Sequence, residues 1–162
     1  MLRRMFSTGL THVTKDGKAS MVNVGNKSFT LRVAKARGEI HVGPAIYEAV
    51  KANEIKKGDV FTVAKIAGIM SAKHTSTLIP LCHPINPEYI DVQLELKSPD
   101  TIVATSTVSL MGITGVEMEA LVATNSALLT VYDMCKAMSK NMTIQDVRLI
   151  YKSGGKSGDF NS

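Results

Sequence analysis

Residues 114–138 read TGVEMEALVATNSALLTVYDMCKAM, and the fold turns on how that stretch is read. Thr114, with Glu117 three residues later, has the form of a capping box, in which each side chain satisfies a backbone N–H of the first helical turn. From Ala120 to Tyr132 there is no formal charge. A surface helix carries a polar face, so the stretch predicts one long helix buried nearly all round, by its own domain or by another chain. At about 100° per residue, Leu121, Leu128, Val131, Cys135 and Met138 make one apolar face, while Glu119, Asp133 and Lys136 share an arc of about 100° on the other side. There they interrupt a second apolar face, with Val122 and Leu129 among them. Charged groups in such a setting are costly to desolvate unless they are paired or used. Glu119 and Asp133 are fourteen residues apart, or about 21 Å along the axis. One small substrate does not readily touch both on one helix.

Around this helix the remaining elements follow from periodicity. The stretch 26–42 mixes β-branched residues with charge and predicts a strand with a turn at Gly38, where Arg32 reads as a solvated edge charge. Gly43-Pro44 opens a short helix over 44–53. Lys56-Lys57-Gly58-Asp59 is a turn into a second long helix that runs to about Ile79. Asp59 suits its positive end, and Val60, Val63, Ala64, Ala67 and Met70/Ser71 form its core face. Gly68 inside it points to close approach of another backbone. Lys65 and Lys73 read as a solvated stripe. In PLCHP, Pro80 and Pro84 bracket Leu81, Cys82 and His83 and hold them extended. Residues 89–96 and 102–110 alternate as strands joined by a turn at Ser98-Pro99-Asp100, and 143–151 is a last strand. The tail, KSGGKSGDFNS, is Gly/Ser-rich and reads as flexible. The order strand, helix, strand, strand, helix, strand predicts an α+β, ferredoxin-like (split βαβ) fold: an antiparallel sheet with two long helices packed on one face.

The chain of 162 residues is long enough for one domain with a real core. Residues 1–9 are set apart as an N-terminal extension and targeting remnant. Residues 10–160 are assigned to a single domain with a flexible C-terminal tail. The start, MLRRMFSTGLTHVTK, has two Arg and no acid before Asp16, the flavour of an organellar transit segment. The expected location is the mitochondrial matrix, with the cytoplasm as alternative. A net charge of +5 suits phosphates without demanding nucleic acid. Aromatic residues at 5 %, with no Trp, argue against base-stacking platforms. Cys82 and Cys135 form no C-x-x-C and read as free thiols in a reducing compartment. No apolar run approaches a membrane span.

Several residues are candidates for chemistry. His83 is presented by its proline bracket, but as Cys82's neighbour on an extended chain it makes no Cys–His dyad. His83, Cys82 and Cys135 lack zinc-site spacing. Gly154-Gly155-Lys156-Ser157 lacks the first Gly of a Walker A loop and no helix follows, which leaves a Gly/Lys loop able to close over a phosphate. Gly112 and Gly115 lead to a helix N-terminus that favours anions. Asp133 and Lys136 are helical neighbours, either a simple ion pair or a tuned acid–base pair. Lys57 and Lys152 flank Gly-containing turns and add positive charge.

Taken together, KKGDVF at 56–61, AKHTSTLIPLCHP at 72–84, TGVEMEAL at 114–121, YDMCKA at 132–137 and KSGGKSGDF at 152–160 resemble the molybdenum cofactor biosynthesis protein C family, over nearly the whole chain. The resemblance implies a pyrophosphate-releasing lyase, a cyclic pyranopterin monophosphate synthase. It converts (8S)-3′,8-cyclo-7,8-dihydroguanosine 5′-triphosphate, a cyclised GTP derivative, to cyclic pyranopterin monophosphate in molybdenum cofactor biosynthesis. It also implies a homohexamer, a trimer of dimers with sites at subunit interfaces. No cofactor is implied beyond Mg2+ carried with the triphosphate, and no metal ligands, nucleic acid or membrane. By the same resemblance Asp133, Lys57, Lys136, His83 and Glu119 are catalytic, while Leu81, Cys82, His83, Glu117, Met118, Glu119, Lys73, Arg32, Lys152 and Lys156 bind substrate. The match departs at Ile113, where relatives carry Lys or another polar residue, and at Asn23, where they carry Asp. The rival reading is a ferredoxin-like nucleotide- or RNA-binding module without catalysis, which calls for aromatics on the sheet that these strands mostly lack.

Overall fold

The computed structural model describes residues 18–162. The targeting reading of the first residues lies outside them. The elements are β1 (Thr30–His41), α1 (Pro44–Lys51), α2 (Val60–Lys73), α3 (Thr75–Leu78), β2 (Tyr89–Lys97), β3 (Thr101–Gly112), α4 (Glu117–Cys135), β4 (Thr143–Ser153) and β5 (Phe160–Asn161). The strands make one antiparallel sheet in the order β2-β3-β1-β4-β5. α2 packs over β2, and α4 packs over β1, β3 and β4. This is the α+β, ferredoxin-like arrangement expected.

Side chains alternate across the sheet, so period two decides the faces. In β3, Ile102, Ala104, Ser106, Val108 and Leu110 turn to the helices, and β1 answers with Arg32, Ala34, Ala36 and Ile40. α4 buries Ala120, Ala123, Ala127, Leu128 and Val131 against them. Its outer stripe is another matter: Leu129 is 59 % exposed. The helix is therefore apolar all round without being covered all round.

Gly68 touches α4 as expected. A Cβ there would come within 2.8 Å of the Ala123 carbonyl, so α2 meets α4 backbone to backbone. Its core face is Val60, Ala64, Gly68 and Ala72, at a strict spacing of four. Val63 and Met70, expected in the core, are exposed. Asp59 caps α2 by accepting from the Thr62 N–H at 3.1 Å.

Other expectations are corrected. The capping box does not form: α4 starts at Glu117, no side chain caps it, and the Glu117 carboxylate faces Lys152. β1 runs through Gly38 without a turn. The irregularity sits across from it in β4, where the register shifts and Asp146 takes φ 53°. Gly38 is needed for packing, because a Cβ there would press on Val147 and Leu128 at 2.8 and 2.9 Å. The second long helix breaks at His74 into α2 and α3. α1 ends at Lys51, before the positive φ of Asn53. The segment Pro80–Pro84 is not extended: the Cys82 N–H donates to the Ile79 carbonyl at 3.0 Å, which closes a turn. The tail is not a free end either. Phe160 and Asn161 pair with Lys152 and Tyr151 as β5.

Candidate active site

A cavity of about 800 Å³ opens where the start of α4 meets the ends of β1 and β4. Five pieces of chain wall it: Val22, Asn23, Val24 and Lys27; Arg32 and Val33 of β1; Leu81, Cys82, His83 and Ile85; Thr114 to Glu119; and Lys152, Ser153, Gly155, Lys156 and Ser157. Nine of the expected site residues therefore meet here: Arg32, Leu81, Cys82, His83, Glu117, Met118, Glu119, Lys152 and Lys156.

Arg32 is 8 % exposed, so the solvated reading of its charge is wrong. Its Nε donates to the Gly112 carbonyl at 3.2 Å and its Nη2 to the Ile113 carbonyl at 3.4 Å. A buried guanidinium is costly without a countercharge, and its bonds here are to neutral carbonyls. Lys152 Nζ stands 3.2 Å from the Ser157 hydroxyl and 3.5 Å from Glu117 Oε1. Gly154 lets the loop pass. At φ 82° it occupies a region side chains avoid, and a Cβ would collide with the Leu31 carbonyl. Three cations thus line the cavity, Arg32 from β1, Lys152 from β4 and Lys156 from the β4–β5 loop, with Glu117 paired to Lys152.

The same cavity holds a buried carboxylic acid. Glu119 is 3 % exposed. Burial pushes its pKa up to about 7, with the nearby Glu117 charge acting in the same direction. Near neutral pH it is therefore able to give or take a proton. Cys82 lies close enough for the Glu119 charge to add to burial in raising its thiol, so it is not an activated nucleophile. His83 Nε2 donates to the Val22 carbonyl at 2.9 Å, which ties the 22–27 segment over the cavity. With the turn at Ile79–Cys82, both Cys82 and His83 border the same space.

Three expected catalytic residues lie elsewhere. At the far end of α4, Asp133 Oδ1 meets Lys136 Nζ and Oδ2 meets Lys57 Nζ, both at 2.7 Å. Lys57 also donates to the Asp133 carbonyl at 2.9 Å. Hydrogen bonds from Lys136 and then Lys57 pull the aspartate pKa down to about 2, and the same aspartate raises that of Lys136. Such a pair is screened at an exposed surface and adds little to stability. Lys73, exposed at the end of α2, joins neither group. Among the described residues, no group of three or more His, Cys, Asp or Glu is placed to hold a metal ion.

Sequence reasoning missed the 22–27 wall, with Lys27 in it, together with Ile85, while Ser157 lies in the Gly/Lys loop it had singled out. Residues 22–27 form no strand or helix, so periodicity carried no signal for them. The β4–β5 hairpin was hidden by the Gly/Ser content of its loop.

Comparison with known proteins gives the same result. The MoaC family model matches residues 21–155. The chain is 50 % identical over 151 residues to the cyclic pyranopterin monophosphate synthase of Nitratidesulfovibrio vulgaris, covering 93 % of this chain and 94 % of that one. It is 49 % identical over 154 residues to that of Limosilactobacillus fermentum, covering 95 % and 93 %. It is 49 % identical over 152 residues to that of a Roseiflexus species, covering 93 % and 96 %. With the family model spanning every wall of the cavity but the last loop residues, and the lysine-flanked Asp133 as well, the chain belongs to the MoaC family.

Proposed function

We propose that this chain is an enzyme of molybdenum cofactor biosynthesis, a cyclic pyranopterin monophosphate synthase acting on the cyclised GTP derivative and releasing pyrophosphate. The observation that carries the reading is one cavity lined both by cations, Arg32, Lys152 and Lys156, and by the buried, proton-exchanging Glu119. A nucleoside triphosphate calls for both. Arg32, Lys152 and Lys156 take the triphosphate; a substrate hydroxyl attacks the α-phosphorus and closes the cyclic phosphate ester, the bond from that phosphorus to the oxygen bridging to the β-phosphate breaks, and the cations stabilise the charge on the departing pyrophosphate. Glu119 and His83 exchange protons with the guanine-derived ring as it opens and is rebuilt. Leu81, Cys82, Glu117 and Met118 line that ring. Mg2+ enters only with the triphosphate, and no redox step is needed. The decisive assay is pyrophosphate release from the purified protein and that substrate. If none is released, the reading is wrong.

The lysine-flanked Asp133 belongs to the same reaction through a second copy of the chain. Glu119 and Asp133 lie on one stripe of α4 with Ser126 midway between them. A two-fold axis beside Ser126 would bring the cavity of one protomer to the Asp133 group of its partner. The exposed apolar residues support this, with Val63, Ile66, Met70 and Leu129 on the helical surface. Leu31, Tyr89 and Met111 make a separate patch on the open sheet. Two self-complementary surfaces are what a hexamer built as a trimer of dimers requires. Inactive Glu119→Ala and Asp133→Ala chains, mixed and reassembled, should regain activity; continued inactivity would rule out a site shared in this way. The mitochondrial location stays part of the proposal and rests on the composition of residues 1–17 alone, while the three relatives named above are bacterial. Import of the full chain into isolated mitochondria, with processing near Ser7, tests it.

A further inference from the structure

We propose that Ser106, with Thr124, is a positioning residue for this site: a hydroxyl pin that fixes the first half of α4 on the sheet and thereby sets Glu119 in the cavity. Farther along, Leu128 seated over Gly38 keys the helix. Toward Glu119, Ala120 packs in one apolar cluster with Ala34, Ala36, Val108, Leu110 and Val116. Apolar burial has no direction of its own. Into this apolar contact the Ser106 hydroxyl donates to the Ala120 carbonyl at 2.7 Å, and the Thr124 hydroxyl donates to Ser106 Oγ at 2.9 Å. Both side chains are fully buried.

Satisfaction of the polar groups of α4 does not require this pair. The Ala120 carbonyl is the helical acceptor for the Thr124 N–H, and a threonine within a helix can turn its hydroxyl onto that same carbonyl. The bond satisfies the buried Ser106 hydroxyl, which the helix itself does not need, and being directional it specifies geometry. The pinned carbonyl belongs to the residue next to Glu119. Glu117 shares that first turn, Cys82 and His83 border the same cavity, and Arg32 and Lys152 reach it from the sheet. Displacing a catalytic group by about 1 Å costs on the order of 100-fold in rate.

The inference rests on the reading of Glu119 as catalytic, so its test includes a measurement that needs no turnover. In full-length Ser106→Ala protein, the Glu119 carboxyl carbon is titrated by NMR, with kcat, KM and Tm measured alongside. The Glu119 midpoint should fall from about 7 toward the ordinary carboxylate range. The kcat should drop ~10-fold or more with KM little changed, and Tm should fall by only about 2–4 °C. Thr124→Ser, which keeps the hydroxyl, should match wild type in the Glu119 midpoint, kcat and KM, and Thr124→Val should move part of the way. A wild-type titration in Ser106→Ala, or a rate loss accounted for entirely by unfolded protein, overturns the pin. If Ser106→Ala does not fold, Thr124→Val decides by the same readouts, and a wild-type midpoint there overturns it too. If the wild type shows no turnover, the functional reading fails, while the titration still decides the pin.

Discussion

Glu119 and Asp133 sit on one stripe of one helix in opposite electrostatic states. The first is buried, with its pKa raised to about 7; the second is exposed between two lysines, with its pKa lowered to about 2. Sequence separation fixes them about 21 Å apart at the rise of an α-helix. One is held ready to exchange a proton near neutral pH. The other is held ionised at any pH the protein meets. Acid–base assignments often reveal themselves as carboxyl groups pushed in opposite directions by their surroundings.

The raised Glu119 gives a sign for stability against pH. Its folded pKa lies above its unfolded one, so its favourable state is the protonated one. That contribution is fully present below about pH 4.5, the unfolded value, and is lost as pH rises through about 7. Glu119→Gln should therefore match wild-type Tm at pH 5 and exceed it at pH 8. Thermal melts across that range are the check, and a wild-type advantage at pH 8 counts against a desolvated carboxyl.

Asp133 has the reverse sign. Its depressed pKa contributes stability above about pH 4 that disappears as pH falls through about 2. Lys136→Met and Lys57→Met should each move the Asp133 midpoint up toward the ordinary aspartate value, with Lys136 the larger effect. Carboxyl NMR titration reads this directly.

Removing the same groups should cost turnover without costing the fold. Asp133→Ala and Lys136→Ala are expected to lose ~100-fold or more in kcat while keeping wild-type size in light scattering. Activity within a few-fold of wild type would leave the trio a surface ion cluster.

Arg32→Lys keeps the charge and loses the fork that spans two carbonyls. Gly112 and Ile113 then lose their clamp. The expected result is about tenfold weaker binding of inorganic tripolyphosphate, measured by calorimetry, with the sheet intact by circular dichroism. Unchanged affinity would remove Arg32 from the anion-binding cations.

Gly68→Ala tests the helix contact on which everything rests. The added methyl meets the Ala123 carbonyl at 2.8 Å and Val92 at 3.1 Å. Because the first obstacle is backbone, the cost should be about 1–3 kcal/mol in denaturant unfolding.

Much of this was legible in the sequence because period and spacing are local. β3 alternates, α4 is continuous, and Gly68 inside a helix announces a close neighbour. Motif by motif, the resemblance also brought nine residues to one cavity. What misled were competitions that only the folded chain decides. Thr114 and Glu117 have the letters of a capping box, but Lys152, far away in sequence, takes the glutamate. The proline bracket suggested extension, yet the Cys82 N–H closes a turn. Arg32 looked like an edge charge because nothing in its own strand shows that the β3–α4 turn will cover it. Val63 and Met70 fit a helical stripe, but Gly68 and Ala64 draw the core face to themselves by letting α4 come near.

The pairing of Phe160 and Asn161 with β4 has a consequence for ligand capture. It turns the segment that carries Lys156 and Ser157 from a dangling end into a loop closed at both sides. The entropy of joining its ends is spent during folding, and it grows only slowly with loop length. If Lys152 and Lys156 take the triphosphate as proposed, the loop is already closed when it arrives, and more of the contact energy remains as affinity. Two residues at the rim of the sheet thus fix the loop beside Lys152 before any ligand arrives.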